Sequence, residues 1–418
     1  MLNPKTNQRE LAYIVKIDEI RPIENYDRVE HARVGGWWVI VKKDQFKVGD
    51  LAIYIEVDAK VPEEEPFMFL AKKKFRVKTL KMCGVISQGL LMHPEDFGWK
   101  YALDADGEQI IDWGRKTKDI VPYLSKGNFV TKELGITYYE PEDNKRKGMG
   151  PDKYAKMAQR RPDIFKKKWA RWMMRREWGK KVMFKFFGKK KDKRTWPSWV
   201  KKTDEERCQN MPWLFPGNPD QKWMVTEKID GSSTTFTIKR GKRKNDFYVC
   251  SRNVVFDTPE KAANCFYDSN IYLEMAEKYN MEETMNYMLD IHTNVDFITI
   301  QGETYGEGVQ KRDYGLKGRD FMAFNLIFGY ADGRTERCNP VEMKEILSCY
   351  KIPCVPIIIP DYYMEGLVLP KTCDELLAFA EGASEIDGGI REGLVFRSFD
   401  GEQSFKAVSN KFLLEYHS

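Results

Sequence analysis

Lys228 stands in the stretch WMVTEKIDGSSTTFTI (residues 223–238), where an apolar strand turns through Asp-Gly into a second strand. A lysine at such a place is either a solvated charge on a turn or a nucleophile held by rigid neighbours. Its reference pKa is about 10.4, so at neutral pH it is an unreactive ammonium. To attack, it must lose a proton, helped by burial or by nearby positive charge. A divalent metal beside the nucleophile supplies that charge, and metals of the Mg2+ kind take carboxylates, often through bound water. The chain offers Asp230, Glu303 in QGETYG and Glu392 in EGLVFR. Both glutamates stand at predicted strand ends, next to a glycine that lets a ligand approach the backbone. Lys406 in SFKAV, on a later strand, is placed to balance phosphate charge. Lys-x-Asp-Gly alone occurs by chance in roughly one chain of this length in ten. The ordered set carries the argument.

The elements that must position this set fall into three parts. Up to about residue 125, YIVKIDEI, WWVIVKK, LAIYIEVDAKV, FRVKTLKM and SQGLLM read as short strands rich in β-branched and aromatic residues. A small closed barrel is the natural way to hide their edges, and an OB-like barrel is expected. From residue 203 the pattern is mixed: strands at WMVTEK, TTFTI, FYVCSR, FITIQGE, FMAFNLIFGY, EGLVFR and SFKAV, with helices around Pro259–Tyr279 and Pro340–Tyr350.

Between them the chain changes character. Residues 141–202 hold 23 basic and 6 acidic residues, a net +17 that leaves −11 for the rest of a chain whose total is +6. Within KKKWARWMMRREWGKK, Trp169, Trp172 and Met173 lie at helical spacing, with Phe165 four residues before Trp169. One or two basic amphipathic helices are expected here. Three uses stay open: a helix docked by its aromatic face, contact with phosphate backbone, or contact with an anionic membrane surface.

Composition excludes several classes. With 42% hydrophobic and 32% charged residues, the 418-residue chain reads as globular. The eight cysteines form no CxxC pair, and none of the four histidines sits in a catalytic-pair context. No apolar run of about 18 residues marks a transmembrane span, and the opening residues lack a secretory h-region, so an intracellular protein is expected.

The ordered motifs resemble the covalent nucleotidyltransferases, polynucleotide ligases and messenger-RNA capping enzymes. EKIDGSS is similar to their nucleophile motif, SRN to the following ribose-contacting motif, and QGETYG and EGLVFR to the motifs that hold a metal-site glutamate. FMAFNLIFGY resembles the motif whose aromatic residue stacks on the purine, and SFKAVSNKFLL the last motif, with Ser404 where a first lysine would stand. DNA ligases and capping enzymes carry an OB domain after the last motif. Here the barrel comes first, as in a group of ATP-dependent RNA ligases, and KTDEERCQN also resembles that group.

The resemblance implies an α+β fold: an ATP-grasp-like nucleotidyltransferase domain of antiparallel sheets and helices (203–418), a basic helical insert (126–202), and an all-β OB-like barrel (1–125). It implies ATP and Mg2+ or Mn2+ as cofactors. Lys228 is then the nucleophile that carries AMP, passed to an RNA 5′-phosphate that a 3′-OH attacks. Asp230, Glu303 and Glu392 hold a hydrated metal. Glu227 orients the adenine or its neighbouring strand, with Ile229 and Gly231 beside it in the nucleotide site; Arg252 meets the ribose and Phe324 stacks on the base. Lys406 and Arg207 contact phosphate. Partners expected are RNA ends or a nicked duplex, bound by a monomer; the barrel grips duplex backbone or helps orient the leaving pyrophosphate, and its Lys72, Lys73, Lys74, Arg76 and Lys78 serve that role or form a wet strand face. A DNA ligase, a capping-type enzyme and a non-catalytic nucleic-acid scaffold are the alternatives.

Overall fold

AYIVK and LAIYI are apolar at almost every position, the pattern of strands buried on both faces. The computed structural model puts both at the centre of the first domain. It describes residues 1, 3, 9–114, 123–139, 164, 167–174, 176, 178–179, 182–183, 196–202, 205–256, 265, 267, 269–358 and 366–417. Strands β1 (Ala12–Lys16) and β5 (Leu51–Ile55) pair antiparallel, and β9 (Leu90–Met92) extends their sheet. A second sheet joins β2 (Glu19–Ile23), β3 (Tyr26–Val34) and β4 (Trp37–Lys42). Its inner face (Trp37, Val39 and Val41) meets Tyr13, Val15 and Tyr54, so one side of the central sheet closes the barrel core.

The other side makes a second core. Ile14, Ile53 and Ile55 alternate onto it and meet Phe67, Val77, Ile111 and Trp113. Val130, Leu134 and Ile136 complete that core, and the Val130 amide bonds to the Ala12 carbonyl at 2.9 Å. The first domain therefore runs on to residue 139, and the boundary expected at 125 falls inside it. The reason is local: Thr131, whose hydroxyl accepts from the Leu11 and Ala12 amides, ties this segment to β1.

In the basic segment a helix forms at the expected place, α1 (Lys168–Met174). Among the described residues its aromatic face is only partly covered, with Trp169 and Trp172 49% and 51% exposed. Phe165 lies outside the described residues.

The second domain is built on two sheets. The larger has the order β17 (Asp246–Ser251), β16 (Ser232–Lys239), β18 (Val295–Gly306), β19 (Arg319–Tyr330), β20 (Thr335–Arg337), antiparallel throughout. Helices α2 (Ile271–Lys278), α3 (Met281–Ile291) and α4 (Pro340–Ser348) bury their apolar stripes in its core. Helix α4 starts where the sequence says: Asn339 caps the Val341 and Glu342 amides, Glu342 reaches back, and Pro340 needs no partner. The helix expected at Pro259–Tyr279 is described as α2, capped by Asn270, while residues 257–264 lie outside the described set. The smaller sheet runs β14 (Glu206–Arg207), β22 (Ser404–Val408), β21 (Gly393–Ser398), β15 (Trp223–Lys228), with β14 parallel to β22 and α5 (Cys373–Ala380) packed on it.

Residues 353–358 lace the two sheets together. The Glu227 amide donates to the Pro356 carbonyl at 2.9 Å, and the Ala323 amide to the Pro353 carbonyl at 2.8 Å. No helix among the described residues is long and apolar enough to cross a membrane.

Candidate active site

β15 ends in the smaller sheet at Lys228 and β16 begins in the larger at Ser232, so Ile229, Asp230 and Gly231 bridge the two. This turn is held on three sides. Ile229 is buried among Tyr305, Tyr314 and Val355. The Asp230 amide donates to the Tyr314 hydroxyl at 2.7 Å. Gly231 presses on β18: an added Cβ would lie 2.4 Å from the Thr304 carbonyl oxygen and 2.8 Å from Glu303 Cγ. A side chain there would push the Lys228–Gly231 turn off the sheet.

Register delivers the remaining groups. Ser233 faces Glu303 across β16 and β18, and Lys228 faces Gly393, next to Glu392. Lys406 faces Val395 on one side and Arg207 on the other. The result is two adjoining cavities. The larger, about 380 Å3, is lined by Lys228, Asp230, Gly231, Glu303, Glu392 and Lys406, with Arg207 and Arg252 at its walls. The smaller, about 160 Å3, adds Glu227, Ile229, Phe324, Val355 and Val395 to Lys228, Arg252, Glu303 and Lys406. All eleven residues singled out in the sequence come together.

Electrostatics set the state of the amine. Nζ of Lys228 donates to Oε2 of Glu392 at 2.7 Å. Burial alone would lower the Lys228 pKa, but Glu392, Glu303 and Asp230 outweigh it and raise the pKa. The expectation that burial frees the amine is thus reversed in the protein alone: the acidic groups around it, Glu392 first, hold it charged. Glu303 shows the complementary strain. Burial pushes its carboxyl up; Lys228 opposes this, Glu392 and Asp230 add to it, and it reaches about 8. Among the described residues, no three His, Cys, Asp or Glu are arranged to hold an ion directly. Asp230, Glu303 and Glu392 nevertheless suit a hydrated divalent cation, because Glu392 and Asp230 both oppose ionisation of Glu303 and positive charge beside them would relieve it.

The smaller cavity has a different chemistry. Oε2 of Glu227 accepts from the Glu385 amide at 2.9 Å, while Oε1 is buried without a hydrogen-bond partner among the described residues. Burial raises the Glu227 pKa against the Ser384 hydroxyl and the Glu385 amide. Phe324 lines the same space. Arg397, which sequence reasoning passed over although it ends EGLVFR, is also here. Its Nη1 donates to the Phe324 carbonyl at 2.8 Å, and burial pushes its pKa down to about 10. Arg397 faces Ser404 across β21 and β22, which places a guanidinium beside the position where the expected lysine is missing.

The first domain closes the larger cavity. Arg9, Asp58, Arg76, Lys78 and Tyr138 line it. Nη2 of Arg207 meets Asp58 at 3.2 Å, while its Nε and Nη1 are buried without partners. Tyr138 lies under Arg252, 5.6 Å from ring centroid to guanidinium carbon. Of the basic run, Arg76 and Lys78 reach the cavity, whereas Lys72, Lys73 and Lys74 are exposed on a short helix. Lys411 pairs with Glu381 at 3.1 Å and is largely exposed. Asn210 fastens the domains: Oδ1 accepts from the Trp37 indole at 2.7 Å and the Tyr13 hydroxyl at 3.0 Å, and Nδ2 donates to Glu56 at 2.7 Å and Glu206 at 2.8 Å. Sequence reasoning read KTDEERCQN for its arginine and missed this asparagine, because its partners in the first domain lie more than 150 residues away.

Comparison with known proteins agrees with this geometry. Residues 221–408 match the RNA ligase family, and residues 11–94 match an OB-fold domain. The chain carries an RNA ligase domain preceded by an OB-fold domain. No curated protein matches it. Among solved structures, a mutant of Naegleria gruberi RNA ligase with ATP and Mn is similar at 26% identity, covering 97% of this chain and 98% of that one, with a TM-score of 0.67. The same ligase with PPi, and a further mutant with AMP and Mn, give a TM-score of 0.66 at the same identity and coverage. The lysine, the carboxylates and the smaller cavity belong to the RNA ligase domain, which shares the larger cavity with the first domain.

Proposed function

We propose that the chain is an ATP-dependent RNA ligase that seals 3′-OH/5′-phosphate RNA ends, including nicks in a duplex, through AMP carried on Lys228. The observation that carries this reading is the position of Lys228 Nζ at the junction of the two cavities, 2.7 Å from Glu392. The smaller cavity suits adenine. The unpartnered Oε1 of Glu227 would accept from an exocyclic amine, and Phe324 offers a ring to stack on. The larger cavity suits the phosphates, with the buried free donors of Arg207 on its wall and Lys406 beside them.

In the first step Nζ attacks the α-phosphorus of ATP. The ammonium first gives up one proton, for which Oε2 of Glu392 is the acceptor already hydrogen-bonded to Nζ. A P–N bond then forms, the P–O bond to pyrophosphate breaks, and a second proton leaves the nitrogen to solvent. ATP, AMP and PPi, which accompany the Naegleria gruberi structures, are the reactant and the fragments of this step. AMP then passes to the RNA 5′-phosphate, and a 3′-OH displaces it. A hydrated divalent cation held by Asp230, Glu303 and Glu392 would supply the positive charge that lowers the amine pKa and offsets charge on phosphate oxygens. Arg252 would orient the ribose, and Arg207 and Lys406 would hold the phosphates in line.

Intact-mass measurement after incubation with ATP and Mg2+ tests this directly. The wild-type protein should gain the mass of AMP and Lys228→Ala should not. A Lys228→Ala protein that gains it sinks the assignment. Nick-sealing assays with RNA and DNA 3′-OH ends, and adenylylation with GTP in place of ATP, separate the neighbouring chemistries.

A further inference from the structure

The densest charge of the chain lies outside both family-matched regions. Residues 141–202 are at net +17, whereas residues 11–94 sum to +2 and residues 221–408 to −8. Most of the long-range attraction for a polyanion therefore comes from this segment. Its described part has two faces. Ala170 and Met183 are buried against each other, with Ile164, Met173 and Met174 packed beside them. Away from that small core, Trp169, Trp172 and Trp178 are 49%, 51% and 53% exposed. The guanidinium of Arg176 lies 3.8 Å from the Trp172 ring centroid, Trp178 meets Trp172 edge-on at 6.0 Å, and Arg171 is exposed on the same short helix.

Three half-exposed indoles so close in sequence make an apolar surface that asks for an occupant. Indole faces interleaved with guanidinium groups match single-stranded nucleic acid, whose bases stack on rings while its phosphates meet cations. A duplex hides its base faces and would leave the indoles uncovered. An anionic bilayer is disfavoured because Arg176 lies on the face of Trp172, so the ring could not enter the acyl boundary without drawing a charge toward it.

We propose that Trp169, Trp172 and Trp178, with Arg171 and Arg176, form an accessory binding surface for unpaired RNA flanking the ends that are joined. The choice of RNA as the polyanion rests on the ligase reading above; the surface itself does not.

The test uses the full-length chain, a fluorescent 15-nucleotide single-stranded RNA, the same sequence as a blunt duplex, and phosphatidylserine-containing vesicles. Combined Trp169→Ala, Trp172→Ala and Trp178→Ala should weaken single-strand binding at least about tenfold. Combined Arg171→Gln and Arg176→Gln should make the slope of log K against log salt shallower by about 1.4, roughly 0.7 for each phosphate that is no longer neutralised. AMP gain from ATP and thermal midpoint should not change. In the unmodified protein, iodide quenching of indole fluorescence should fall when the single strand is added, a readout that needs no variant. Unchanged RNA affinity in folded variants, absence of protection from iodide, or a loss confined to vesicle binding overturns the proposal; equal loss of duplex affinity overturns the stacking assignment. A protein that gains AMP but fails these tests loses only this surface. One that binds RNA here but never gains AMP loses only the ligase reading.

Discussion

Replacing Glu303 by glutamine should remove a proton that the wild-type protein gives up when a divalent cation binds. In the protein alone this carboxyl sits at about 8, because burial, and then Glu392 and Asp230, oppose its ionisation more than Lys228 assists it. At pH 7 its protonated and ionised forms then stand at about 10 to 1, so cation binding should release about 0.9 proton from it. The release should fall to about 0.5 at pH 8 and about 0.1 at pH 9. Apparent affinity for Mn2+ should climb about tenfold per pH unit up to pH 8, worth about 1.4 kcal/mol per unit, and then level off. Calorimetric titration with MnCl2 in two buffers of different ionisation enthalpy reads the proton count directly.

Stability gives an independent readout with a definite sign. The folded pKa of Glu303 lies above its ordinary value of 4.5, so between about 4.5 and 8 the folded state keeps a proton that the unfolded chain has lost. The contribution to stability is whole below pH 4.5 and drains away as pH rises through 8. Without divalent cation, the wild-type thermal midpoint should therefore decline over that range, and Glu303→Gln should decline less and melt higher at pH 8. Wild-type protein that releases no proton at pH 7, or a glutamine variant with the same release and the same pH slope, would refute the reasoning.

Three further substitutions probe the supports of the site. Asn210→Ala takes one hydrogen bond each from Glu56 and Tyr13, which still bond each other, and leaves the buried Trp37 indole without its acceptor; at about 1–3 kcal/mol for the orphaned group it should cut unfolding free energy by about that much in urea titrations. Tyr314→Phe removes the hydroxyl that accepts the Asp230 amide; the rate of AMP gain should fall about tenfold, for a loss of about 1–2 kcal/mol, with a smaller change in ATP concentration dependence. Gly231→Ala drives a Cβ against the Thr304 carbonyl oxygen at 2.4 Å, which β18 cannot yield cheaply, so AMP gain should be lost in a protein that still folds by circular dichroism.

Chemistry that is local in sequence was legible there; chemistry made by docking was not. WMVTEK appears as the whole of β15, because a six-residue apolar strand ending in a charged turn is a local pattern. The carboxylates Glu303 and Glu392 were found because each sits in a short strand-end motif. Arg397 was overlooked five residues past Glu392 because an arginine on a strand usually faces water, and only the second sheet buries it. Asp58 and Tyr138 leave no local trace at all. One occupies a left-handed turn after β5 and the other a two-residue strand, β13 (Thr137–Tyr138), paired with β6 (Ala59–Lys60). Nothing in either stretch announces a partner in the other domain.

That asymmetry bears on how the enzyme is divided. The smaller cavity, with Glu227, Phe324 and Arg397, is made wholly by the RNA ligase domain. The larger one is shared: Arg9, Asp58, Arg76 and Lys78 face Arg207, Lys228 and Lys406 across the junction. Asp58 orients Arg207 from the far side, and Gly36 lets the OB-fold domain come close enough to do so, since a Cβ there would lie 2.5 Å from Gln209 Cα. On the proposed reading, a base-binding pocket therefore belongs to one domain and a phosphate-binding wall to two. A displacement of the OB-fold domain by even a few ångströms should then leave adenine binding intact while taking the cations Arg76 and Lys78, and the carboxylate paired with Arg207, away from the phosphates. The proposal thus assigns the step at which charge moves on phosphate to the domain junction, and the choice of nucleotide to the local motifs.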